Sequence, residues 1–194
     1  IGEDKFSKGE FKIYRKLKEN STLKTSSVGR LFDAVASLLN LSDVSTYEGE
    51  AALLLENLAW QYSGEYIDLL EGQSFENVPS KIILKRICTL KNQGETKVKL
   101  AASFIRTLAR VVVNMAKTIG LSTIACSGGV FQNRFLVQAL QGMAKENDMT
   151  LLFHKEMSSN DENIALGQLA YYQNIKDEDV FSSPRKNKEY NNHS

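Results

Sequence analysis

The strongest constraint on the fold is a change of period after residue 120. From Glu95 to Ile119 the apolar residues Phe104, Leu108, Val111, Val112, Met115 and Ile119 recur at three- and four-residue spacing, one face of a long helix that Gly120 closes. The pattern then shortens. Ser122–Cys126 is an apolar run of strand length, Ser127-Gly128-Gly129 a turn, and Val130–Glu146 helical again. Met149–Phe153 predicts a second strand, Lys155–Ser159 a loop, and Asn160–Tyr172 a last helix. Helix, strand, helix, strand and helix within roughly 75 residues require parallel strands joined by a right-handed crossover. The strands are few and short, so part of the sheet is expected to lie outside this chain.

Upstream the pattern is helical. Val28, Leu31, Phe32, Val35, Leu38 and Leu39 mark one buried face over Val28–Leu39, with Thr25, Ser26 and Ser27 as candidate caps. A second helix is predicted over Gly49–Tyr62, with Ala51, Leu54, Leu55 and Leu58 inward, and a third from Pro79-Ser80 through Ile83, Ile87 and Leu90 to a break near Gly94. Between them, Tyr66, Ile67, Leu69 and Leu70 read as a short strand or hairpin. Residues 1–24 are polar, with a short amphipathic stretch at Phe11, Tyr14 and Leu17, and read as a linker or lead-in segment. Residues 25–175 form the domain, and the polar tail 176–194 is expected to be disordered.

Composition narrows the function. With a net charge of +1, electrostatics alone point to neither nucleic acid nor membrane, and no apolar run has transmembrane length. The polar start cannot act as a signal peptide, so a cytoplasmic location is expected. Cys88 and Cys126 are the only cysteines and read as buried, reduced thiols; no C-x-x-C is present. His154 and His193 are the only histidines, so a metal site built wholly from this chain would rely on carboxylates.

Four places could carry chemistry. Gly128 and Gly129 lie between a strand and a helix start, where the backbone can approach a ligand and free helix N–H groups favour an anion such as phosphate. A tight ligand-free turn fits them equally well, and the Walker Lys-Ser/Thr ending is missing. Asn133, four residues on, can donate and accept as a base edge or ribose requires, or can be an exposed helix residue. Asp33 lies about 160° from the centre of its helix's apolar stripe, with Gly29 clearing space one turn before it. It could accept from ribose hydroxyls or be simply solvated. Asp161 follows Asn160 at the last helix start and could be a hard oxygen ligand or part of a cap.

The segments TSSVGRLFDAVASLL (25–39), YEGEAA (47–52), SGGVFQNRFL (127–136) and FHKEMSSNDENIALGQ (153–168) occur in this order. Together they resemble the C-terminal part of the HypF hydrogenase-maturation carbamoyltransferases and, more distantly, the tRNA threonylcarbamoyl transferases. The likeness covers roughly residues 20–173. It implies an α/β fold, the helix-rich C-terminal lobe of an actin/Hsp70/sugar-kinase type ATP-binding domain with a small mixed sheet. It also implies a chemistry: carbamoyl-adenylate is made from carbamoyl phosphate and ATP, and its carbamoyl group passes to the C-terminal cysteine of a HypE acceptor, the source of the cyanide ligand of [NiFe]-hydrogenase. By the resemblance Gly128 and Gly129 contact phosphate, Asn133 the adenosine, Gly29 and Asp33 the ribose, Gly49 lines the nucleoside, and Asp161 binds a divalent metal (Mg, Zn or Fe).

The chain departs from the family in places. The family's metal-binding histidines belong to a preceding lobe, and no such pair is present here. Ser158-Ser159 stands where the family has Pro-Pro, and Glu162-Asn163 where it has Gly-Gly. The resemblance therefore implies an incomplete enzyme whose partners are a HypE-like acceptor and the missing N-terminal lobe; no membrane is expected, and the near-neutral charge speaks against nucleic acid. The alternatives are a non-catalytic nucleotide- or partner-binding remnant, and a related transferase acting on a small molecule or tRNA.

Overall fold

The computed structural model describes residues 5–22 and 25–175; the tail expected to be disordered lies outside them. The lead-in segment contains a helix, α1 (Lys8–Asn20), started by a capping box in which Ser7 accepts from the Glu10 amide and the Glu10 carboxylate accepts from the Ser7 amide. It buries no residue. The core comes from α2 (Val28–Leu38), α3 (Glu50–Ala59), α4 (Ser80–Asn92) and α5 (Lys97–Thr118).

Helix α5 is the hub, packing against α3, α4 and α6 (Arg134–Lys145). Neighbours on several sides explain why its buried set, from Leu100 to Ala116, is wider than one stripe. Ile119, expected inward, lies beyond the last turn and is exposed. At the centre the rings of Phe32 and Phe104, both fully buried, meet edge to face at 5.0 Å. Such a pair stabilises by about 0.5–1.5 kcal/mol beyond its area.

The expected strand or hairpin at residues 66–70 does not form; the segment is a loop. Polar anchors hold it: the Ile67 amide donates to Ser103 Oγ at 2.9 Å, and the Asp68 carboxylate accepts from the Leu70 and Gly72 amides and from Arg110. Once a side chain and a buried hydroxyl satisfy these backbone groups, no ladder partner is needed.

The two parallel strands form as the period change required. Strand β1 (Thr123–Cys126) pairs in parallel with β2 (Thr150–Phe153), Thr123 opposite Thr150 and Cys126 opposite Phe153. Helix α6 connects them, packed against α5 and β2. Among the described residues the sheet is this one parallel pair, so it shows no antiparallel strand of the mixed sheet expected. The predicted helix Val130–Glu146 is split into a 3-10 turn over Gly129–Gln132 and α6 from Arg134. The last helix divides the same way: a 3-10 turn over Asp161–Asn163 leads into α7 (Ile164–Ile175). On α7 the apolar Ile164, Leu166, Leu169, Tyr171 and Tyr172 are all exposed. Among the described residues no helix is long and apolar enough to cross a membrane.

Candidate functional site

Three elements converge at the C-terminal edge of the sheet. Leaving β1, the chain turns at Gly128, whose φ of 102° and ψ of 156° only glycine adopts without strain. The Gly128 amide donates to the Ser159 carbonyl at 2.6 Å, which ties the turn to the loop after β2. Gln132 Nε2 adds a long contact of 3.4 Å to Ser158 Oγ. Helix α2, which carries Gly29 and Asp33, also contacts the 3-10 turn. The glycine turn is thus a neighbour of both the 158–161 loop and α2.

Not every amide of the turn is open to a ligand. The Arg134 and Phe135 amides donate to Glu56 Oε1 of α3 at 2.8 and 3.3 Å, and the Leu136 amide donates to Asn133 Oδ1 at 2.8 Å. Helix α6 therefore has its N-terminal donors sealed by the chain's own side chains, against the expectation of free, outward amides. Glu56 is a polar residue 78 positions upstream of Arg134, and no local pattern announces such a cap. An anion at this turn would meet the Gly129 amide and neighbouring side chains instead.

Asn133 is the cap of α6 rather than a residue one turn inside it, and it is buried. The Leu136 amide fixes which end of its side chain carries the oxygen. Its Nδ2 is left buried without a hydrogen-bond partner. An orphaned donor of this kind costs about 1–3 kcal/mol, so the position asks for an acceptor. Asp33 faces away from the core as expected, half-exposed and 3.2 Å from Arg30. Gly29 is half-buried in the first turn of α2. Gly49 is the N-cap of α3, exposed, with a φ of 83° that favours glycine.

Asn160 does the capping, its side chain accepting from the Glu162 amide at 3.2 Å, which leaves the neighbouring Asp161 exposed. No group of three His, Cys, Asp or Glu side chains that could hold a metal converges among the described residues. The described residues therefore do not by themselves fit a metal ion; Asp161 offers one carboxylate. The shallow hollows on the surface lie elsewhere, one beside Leu69 and Arg86 and one beside Gln141 and Phe153, and no expected site residue lines either.

Cys126, the last residue of β1, is buried, and burial pushes its thiol pKa up, which keeps it neutral and poorly nucleophilic. Cys88, expected buried, is only half-buried. One contact was missed in the sequence: His154 Nε2 lies 2.9 Å from Ser127 Oγ. His154 and Ser127 each follow a residue of the Cys126–Phe153 pair, so the parallel register places them side by side. That register could have exposed the contact beforehand.

Residues 3–168 match the family described as carbamoyltransferase, Kae1-like domain, second subdomain. The carbamoyltransferase HypF of Synechocystis sp. is 32% identical over 148 residues, covering 75% of this chain and 19% of that protein. The probable carbamoyltransferase HypF of Methanocaldococcus jannaschii is 30% identical over 154 residues, covering 76% of this chain and 20% of the relative. The chain thus spans about a fifth of the length of these relatives. A crystal structure of full-length HypF, described as in the phosphate- and nucleotide-bound form, superposes with a TM-score of 0.75 at 27% identity, over 92% of this chain and 29% of that one. The helix-rich α/β lobe with a small sheet agrees with the actin/Hsp70/sugar-kinase type of fold expected from the sequence.

Proposed function

Since the chain belongs to the Kae1-like carbamoyltransferase family, as its second subdomain, we propose that it supplies one wall of the nucleotide site of a HypF-type enzyme working in the cytoplasm. That enzyme makes carbamoyl-adenylate from ATP and carbamoyl phosphate and passes the carbamoyl group to the C-terminal cysteine of a HypE-like acceptor. The observation that carries the reading is the glycine turn at the sheet edge, in contact with both the 158–161 loop and α2 and leading into the orphaned amide of Asn133. The solved HypF relative is described as nucleotide-bound, in keeping with this assignment.

In this reading Asn133 Nδ2 donates to an acceptor on the adenosine, and Asp33 accepts from the ribose hydroxyls, with Gly29 and Gly49 leaving room for the nucleoside. Gly128 shapes the turn, and the Gly129 amide donates to the phosphate. In the transfer itself the acceptor's thiolate attacks the carbamoyl carbon. An S–C bond forms, the C–O bond to the phosphate breaks, and AMP leaves with that oxygen. Donors already aimed at the phosphate stabilise the charge that gathers there. The chain needs no nucleophile of its own, in line with the neutral, buried Cys126. Asp161 would offer a single oxygen ligand to a divalent metal, whose other ligands would have to come from outside the described residues. The exposed apolar surface of α7 is where a sister lobe would pack.

The test is transfer of labelled carbamoyl from carbamoyl phosphate and ATP to a HypE-type acceptor by this chain completed with the other domains of a HypF-type enzyme. Asp33→Ala should depress the transfer strongly. Nucleotide binding without transfer to any acceptor would favour the non-catalytic reading, and transfer to tRNA in place of HypE would overturn the choice of acceptor. The net charge of +1 disfavours a polyanionic acceptor.

A further inference from the structure

The Ser127–His154 contact lies where the phosphate of the proposed nucleotide would sit. Both residues leave the same edge of the parallel pair and both are exposed at the start of the glycine turn. Most other donors nearby are committed. The Gly128 amide is held by the Ser159 carbonyl, the Arg134 and Phe135 amides by Glu56, and the Leu136 amide by Asn133. With the helix end sealed, an anion here lacks the row of backbone donors a helix N-terminus usually gives. The exposed Ser127 hydroxyl, two residues before Gly129, is a side-chain donor at this turn.

A serine hydroxyl has one proton and two lone pairs, so its neighbour decides where the proton points. If His154 Nε2 accepts, the Ser127 proton is spent on the imidazole and the ligand faces a lone pair. If Nε2 carries its proton, it donates to Oγ across the 2.9 Å contact, and the hydroxyl proton is free for a phosphoryl oxygen. The anion favours the second arrangement, because only that one presents a donor to it.

We propose that His154 is a positioning residue, holding the Ser127 hydroxyl as a donor to the nucleotide phosphate through an Nε2–H to Oγ hydrogen bond; this rests on the nucleotide reading above. His154 itself need not touch the nucleotide. The pair discriminates in favour of a phosphate over an uncharged nucleoside.

The test compares AMP with adenosine by calorimetry on this chain completed by the preceding lobe of a HypF-type enzyme. Ser127→Ala and His154→Phe should each weaken AMP binding roughly tenfold, as loss of a hydrogen bond to a charged group does at an exposed site, and leave adenosine binding unchanged. The double variant should be no weaker than either single one, because the two residues act in series. His154→Gln, whose amide can donate at the same reach, should recover most of the affinity. Undiminished AMP binding by His154→Phe, additive losses in the double variant, or an equal loss for adenosine would overturn the proposal while leaving the nucleotide site standing. Failure of the completed wild-type pair to bind adenosine or AMP would overturn the nucleotide reading itself, and the role of Ser127 and His154 with it.

Discussion

Replacing Glu56 with alanine should destabilise the fold by unsealing α6, and the size of the effect follows from the contacts. Glu56 Oε1 accepts from two first-turn amides, Arg134 at 2.8 Å and Phe135 at 3.3 Å, and also from Trp60 Nε1 at 3.3 Å. Loss of one helix cap costs about 1 kcal/mol, and loss of a carboxylate at the positive helix end a further 0.3–1 kcal/mol or so. Water replaces part of this because Glu56 is only half-buried, so the total is about 1–2 kcal/mol. For a chain of this size that lowers the thermal midpoint by about 3–6 °C. Thermal unfolding followed by circular dichroism measures it. Glu56→Gln keeps an acceptor oxygen and loses only the charge, so it should lie between the two. The vacated helix end should also become an anion site, so added phosphate should stabilise the alanine variant more than the wild type. A midpoint for Glu56→Ala within about one degree of wild type, with no added response to phosphate, would refute the reasoning.

Three further outcomes are expected. Gly128→Ala should cost about 1–3 kcal/mol in denaturant unfolding through backbone strain, since an added Cβ meets nothing within 4 Å and only the φ of 102° opposes it; Gly129→Ala, at a position with no positive φ, should be close to neutral. Asp33→Ala should leave stability within about 1 kcal/mol, because its pairing with Arg30 is at the surface, while weakening adenosine binding in calorimetry. Burial raises the Asp68 pKa, but hydrogen bonds from Arg110 and the Leu70 and Gly72 amides outweigh it, and the carboxyl ends below its ordinary value. Its contribution should therefore be complete above the unfolded value of about 3.9 and fade as pH falls through the lower folded value. The gap in stability between wild type and Asp68→Asn should hold from neutral pH to mildly acid pH and then close.

Much of the fold was legible because it rests on local signals. The stripe from Phe104 to Met115, the Ser27 cap and the switch to two short strands each depend on residues within a few positions of one another. The failures came where distant residues decide. Residues 66–70 have strand composition, but Asp68, Arg110 and Ser103 satisfy the backbone and hold a loop. The continuous helix expected from Val130 breaks at Asn133, since its side chain takes the Leu136 amide and Glu56 takes the two amides before it. At the site, the glycines announced the turn. The Ser127–His154 contact needed the β1–β2 register, and the burial of Asn133 needed the packing of α6.

The most direct test of the central claim is AMP affinity by calorimetry, measured for the 194-residue chain alone and after addition of the preceding lobe of a HypF-type enzyme. If this chain is one wall of a two-walled site, the isolated chain binds weakly and the completed pair tightly, and Asp33→Ala reduces binding in both. Equal affinity with and without the second lobe, or binding indifferent to Asp33, would contradict it.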